Sequence, residues 1–227
     1  MDKPLPERPA PAHPWFGGLQ TWTPIITSLA ALGLSIYNLV VIKPPKVEVF
    51  VPHVLRMGQK STGNAYSFVQ PTITAPAQTE DLEIITKVEL TMVPTDPSDR
   101  SRAHFWWDEL IKFGDPIEAS YKHATDPNPI LIPPDKPQQP IFSFVAEDWN
   151  FKAADYQGTL TFHRRSDGKP IVKKFCLTLS KNDIEEFGQA KREGWWYPYR
   201  NDDPSGWKKR EGKGDRPRDC YARWDGY

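Results

Sequence analysis

The residues with chemical reach are scattered along this chain, and their spacing assembles no reactive centre. The histidines are His13, His53, His104, His123 and His163, and none of them stands at metal-ligand spacing from another. There is no H-E-x-x-H, no paired C-x-x-C, no glycine-rich phosphate loop and no G-x-S-x-G. Asp108 and Glu109, beside Trp107, could act as a carboxylate pair. Neighbours on a strand or a helix point in different directions, however, so a solvent-facing charge pair is expected. Cys176 shares a strand face with Lys174 and Thr178, and a nearby amine can lower a thiol pKa. With no histidine base beside it, it reads as an ordinary surface thiol. No catalytic residue, metal site or cofactor is expected.

Two constellations suit recognition better. Ser28, Ala31, Ser35 and Asn38, with Pro24 before them, repeat at intervals of four and three and so share one helix face. Bulky Leu29, Leu32, Ile36 and Leu39 fall largely elsewhere. Small residues let helix backbones approach closely, so this face predicts a partner helix inside a membrane, from a second copy or from another membrane protein. The second constellation is the tail 195–227. Trp195, Trp196, Tyr199, Trp207 and Arg210 are of the types that dominate partner-binding hot spots. The same rings could instead fold back as a strap on the rest of the chain. Acidic residues from Glu193 to Asp225 oppose phosphate, and with 29 basic and 29 acidic residues the net charge is zero, so nucleic acid is not an expected partner.

The elements that position these residues begin with an uncharged stretch from Pro14 to Ile42. About 20 helical residues cover the ~30 Å core of a bilayer, so 21–43 is expected to be a transmembrane helix, with Trp22 and Lys43 at its two boundaries. The long apolar run and Lys43-Pro44-Pro45 do not fit a cleavable signal peptide. Lys43, Lys46, Arg56 and Lys60 after the span, against Lys3 and Arg8 before it, predict a single-pass membrane protein with a cytoplasmic C-terminal domain. Two cysteines, one in a strand and one in the tail, form no disulfide framework and lean the same way.

Residues 1–20 read as a disordered proline-rich tail. Beyond the span, period-two patterns mark strands. Val47, Val49 and Val51 alternate with Glu48 and Phe50, and Ile84, Thr86, Val88, Leu90 and Met92 form one face of a longer strand. Leu160 and Phe162, then Phe175, Leu177 and Leu179, give two more around a turn at Asp167-Gly168. Val69–Thr74 and Pro140–Ala146 are further strands, while 103–113 fits helix and strand equally. Ser180 with Asp183 is a capping pattern for a helix over 181–194. With 24 prolines among 227 residues and a mean hydropathy of −0.60, the chain outside the span favours short strands and turns. The expectation is a mainly β protein, an antiparallel immunoglobulin-like β-sandwich over 46–180 behind a single N-terminal transmembrane helix. Its function reads as a membrane-anchored interaction protein, a non-enzymatic subunit or accessory factor of a membrane assembly. The alternatives are a ligand- or glycan-binding sensor working through exposed tryptophans, and a hydrolase with a dispersed His/Asp site.

Overall fold

The computed structural model describes residues 17–41, 47–60, 63–75, 82–114, 121–165, 169–193, 196–202 and 220–223. The chain divides into two compact units, Met1–Lys43 and Pro44–Tyr227.

The first unit carries helix α1, Gly17–Val41, with Pro24 inside it and no acidic residue in its first turn or basic residue in its last. Hydroxyls here bond to the helix's own backbone. Thr27 Oγ1 donates to the carbonyls of Thr23 (3.0 Å) and Pro24 (3.1 Å), and Ser28 Oγ to that of Pro24 (2.7 Å). The side chains from Trp22 to Tyr37 are all exposed. The expected single-pass transmembrane helix at 21–43 is corrected here: among the described residues, no helix is long and apolar enough to cross a membrane. Thr23, Thr27, Ser28 and Ser35 interrupt the apolar character of the stretch Trp22–Tyr37.

The second unit combines a sheet closed on itself with a separate two-stranded sheet formed by its first and fourth strands. Its strands are β1 (Glu48–Phe50), β2 (Val54–Gln59), β3 (Ala65–Val69), β4 (Thr72–Thr74), β5 (Glu83–Pro94), β6 (Ala103–Phe113), β7 (Tyr121–Thr125), β8 (Ile130–Ile132), β9 (Ile141–Ala146), β10 (Asp155–Arg164), β11 (Ile171–Thr178), β12 (Tyr197–Arg200) and β13 (Cys220–Arg223), with helix α2 (Lys181–Glu193) between β11 and β12. Neighbour pairing runs β6-β9-β3-β2-β12-β13-β11-β10-β5 and then returns from β5 to β6, a closed ring of nine strands. The expected immunoglobulin-like β-sandwich is therefore corrected to a β-barrel. Closure rests on the two longest strands. One edge of β6 pairs with β5 through 103–106 and with β7 through 110–113, while its other edge pairs with β9. Register shifts near Asp108 in β6 and at His163/Arg164 in β10 bend the sheet, as bulges do in barrels. Closure removes the exposed edges that an open sheet would present.

The same irregularities decide which residues face inward. Val88, Leu90 and Met92 are buried as their alternation predicts, but below them Ile85 takes the buried place and Thr86 is exposed. Residues 103–113 are a strand, with Phe105 and Trp107 inward and His104 and Trp106 outward. Past the bulge the parity inverts. Leu110 packs against the main core, whereas Ile111 joins Phe68 and Ile141 in a second, separate cluster. Strand β9 lies between the two clusters, and all six of its residues are buried. In the main core Phe142 meets Trp107, Phe144 and Phe162 at ring separations of 5.2, 5.8 and 6.2 Å. Gly158, opposite Phe175 in the β10–β11 register, is needed for space: an added Cβ would lie 2.2 Å from that ring.

Helix α2 begins with the expected cap. Ser180 Oγ accepts from the Asp183 amide (3.2 Å), and the Asp183 carboxylate accepts from the Ser180 amide (2.5 Å), which satisfies two orphan donors. The helix sends Phe187 into the core, where it meets Phe151, Tyr197 and Tyr199 at 5.4, 5.9 and 6.3 Å. Beyond it, β12 and β13 insert between β2 and β11 as barrel staves, with β13 parallel to β11. That register sets Cys176 opposite Cys220, Cα atoms 4.6 Å apart, joined as a disulfide. The free surface thiol expected at Cys176 is corrected accordingly, and the cysteines no longer favour a reducing compartment.

Candidate functional site

The outward side chains of β5, β6 and β10 line an open cleft of about 570 Å³. Pairing stacks them in rows. His104, Thr91 and Thr159 lie opposite one another, then Trp106, Glu89 and Thr161, and then Lys87 and His163. Trp106 is 48% exposed, a large ring held on a strand and open to solvent. The Glu89 carboxylate accepts from Lys87 Nζ at 2.6 Å and His163 Nε2 at 2.7 Å. These bonds, that of Lys87 first, hold the Glu89 carboxyl below the usual glutamate range against the opposing effect of burial. With its pKa depressed in the folded state, Glu89 stabilises the barrel above the unfolded glutamate value. That contribution fades as pH falls through the lower folded-state value. Among the described residues, no side-chain hydrogen bond engages Thr91, Thr159, Thr161, Arg102 or His104, so these groups stand ready for a ligand.

A smaller groove of about 300 Å³ opens between β2, β3, β6 and β9, lined by Arg56, Phe68, Phe113 and Ile141 among others. Rings run along it: Trp196 to Phe68 (4.3 Å), Phe68 to Tyr121 (4.6 Å) and Tyr121 to Phe113 (5.2 Å). The Arg56 guanidinium lies 4.9 Å from the Phe113 centroid. Burial raises the Tyr121 phenol above its ordinary value, which keeps it neutral.

No protein-family profile matches this chain, and no curated protein matches it. A solved structure from Bordetella pertussis, provisionally named ApaA, aligns over 62% of this chain and 98% of its own, at 13% identity and a TM-score of 0.32. At that score the likeness assigns neither fold nor function.

Among the described residues the histidines remain apart, and His13 lies outside them. His123 Nδ1 contacts Glu109 Oε2 at 2.6 Å, between β7 and β6, and His53 Nδ1 contacts Asn201 Oδ1 at 3.1 Å, between the bends that flank β2 and β12. Among the described residues, no group of three or more His, Cys, Asp or Glu side chains could hold a metal ion. Asp108 is exposed, and the partial desolvation of its carboxyl, followed by the charge of Glu109, raises it above the usual range. Of the residues singled out for a partner face on α1, Ser28, Ala31 and Ser35 are exposed, while the side chain of Asn38 lies outside the described residues. In the tail, Tyr199 is fully buried in β12 and Trp196 is half-buried against Tyr66 and Phe68. Trp195, Trp207 and Arg210 lie outside the described residues, as do Asp167 and Gly168.

The cleft is not visible in residue order alone. The alternation of outward His104, Trp106 and Asp108 with inward Phe105 and Trp107 was its local signal. The partners of Trp106 come from residues 17 and 55 positions away, Glu89 and Thr161, and no local pattern joins them.

Proposed function

We propose that this chain is a non-enzymatic interaction protein, attached to a lipid bilayer through α1 and working as an accessory subunit of a membrane assembly. The observation that carries this reading is the exposure of α1. Every described side chain from Trp22 to Tyr37 is exposed, none is charged, and Leu29, Leu32, Leu34 and Ile36 are each more than half exposed. Exposed large apolar side chains on an uncharged helix call for an apolar surface to cover them, and the interface of a bilayer offers one. The face of Ser28, Ala31, Ser35 and Asn38 is then where a partner helix approaches most closely. The Cys176–Cys220 disulfide supports placing the barrel in an oxidising compartment.

The test is recovery of a stoichiometric partner from native membranes in mild detergent. Ala31→Leu separates the backbones and Asn38→Leu removes a hydrogen bond, so together they are expected to weaken recovery about a hundredfold. Leu32→Ile should leave recovery unchanged. Equal recovery with all three variants would contradict the assembly role.

A further inference from the structure

We infer that the cleft across β6, β5 and β10 is a saccharide-binding site that takes a neutral pyranose unit stacked on Trp106. The inference stands on the barrel alone and does not depend on the attachment of α1. A pyranose ring presents two kinds of surface. Its axial C–H groups form an apolar face that lies flat on an aromatic ring, and its equatorial hydroxyls need both donors and acceptors around the rim. The cleft supplies both. Trp106 is 48% exposed although its strand neighbours Phe105 and Trp107 are buried, so the ring is presented to solvent on a rigid support. Directly opposite it in register is Glu89, with Thr161 next in the same row. Thr91, Thr159 and His104 form the adjacent row, and none of their side chains has an internal hydrogen-bond partner among the described residues.

The charges of the lining do not single out a polyanion. The Glu89 carboxylate opposes phosphate, Lys87 is already paired with it at 2.6 Å, and Arg102 is left as a cation of the lining that can donate to a hydroxyl. A neutral polyol meets no such opposition, since the Glu89 carboxylate accepts from hydroxyls while keeping its internal partners. The volume, about 570 Å³, lies within the range of ordinary ligand sites and accommodates more than one sugar ring.

The experiment is calorimetric titration of the full chain with cellohexaose, xylohexaose and chitohexaose, each taken to about 10 mM. At least one should bind, with an affinity insensitive to salt between low and high ionic strength. Trp106→Ala should reduce that affinity at least tenfold, and Thr161→Val, which keeps the side-chain shape and removes the hydroxyl, severalfold. Phe50→Ala, at an exposed aromatic of β1 outside the cleft, should change nothing. Absence of binding by all three oligosaccharides would overturn the inference. So would binding indifferent to Trp106→Ala in a variant that unfolds like the parent, or salt-sensitive binding of oligothymidylate that Trp106→Ala abolishes. None of these results bears on α1 or its partner.

Discussion

Reduction of the Cys176–Cys220 disulfide should lower the stability of the barrel by roughly 4 kcal/mol. The bond closes a loop of 44 residues, and the loop-closure entropy it removes from the unfolded chain corresponds to about that value. Its position makes the loss structural as well. β13 is a four-residue strand that completes the ring between β11 and β12, and among the described residues two residue pairs join it to β11. Without the bond, β13 keeps the burial of Tyr221 and Ala222, its pairing with β12, the hydrogen bond from the Tyr221 hydroxyl to the Pro52 carbonyl and the Arg223–Glu186 ion pair at 2.8 Å. The measurement is urea unfolding of the full chain with and without reductant. A midpoint shift of about 2 M follows from a slope near 2 kcal/mol/M. Under denaturing conditions, maleimide should label neither cysteine before reduction and both afterwards. Coincident unfolding curves, or labelling without reductant, would contradict the bond.

Phe187→Ala should cost about 3–5 kcal/mol, the usual range for emptying a fully buried phenylalanine site. Phe187 has 0% exposure and meets Phe151, Tyr197 and Tyr199. With Ile184 it packs α2 against the core, so its loss also loosens β12 beyond it. Val172→Ala, at a position 47% exposed on β11, should change stability by less than about 0.5 kcal/mol. Comparable losses for the two variants would mean that α2 is not anchored through Phe187. Against a typical stability of about 5–15 kcal/mol, either the disulfide or this ring decides whether the barrel persists at elevated temperature.

Much of the local structure could be read from residue order, because alternation is a local property. Val88, Leu90 and Met92, and later Leu160 and Phe162, face inward as a period-two pattern requires, and Ser180 with Asp183 caps α2. Parity failed where bulges intervene. Ile85 is buried in place of Ile84, and Ile111 belongs to the outer cluster although it continues the apolar series of Phe105 and Trp107. A bulge shows itself only in the pairing between strands. Closure was hidden for the same reason: it depends on β5 returning to β6 and on staves from 197–200 and 220–223. Those staves lie in a stretch poor in aliphatic residues, where Tyr199 and Tyr221 provide the buried surface that Leu or Val usually gives. The cleft was illegible because its rows join three strands distant in sequence. The uncharged character of α1 was plain from residue order, since it needs no partner to be seen.

Attachment to lipid through α1 is the centre of the account, and flotation of the full chain on phosphatidylcholine vesicles through a density gradient tests it directly. The parent chain should rise with the vesicles at low and high salt alike, because apolar contact is not screened. The double variant Leu29→Asp with Leu32→Asp, which places two charges on the exposed helix, should remain at the bottom while the barrel unfolds at an unchanged urea midpoint. A parent chain that stays at the bottom, or a double variant that floats with it, would contradict attachment through α1.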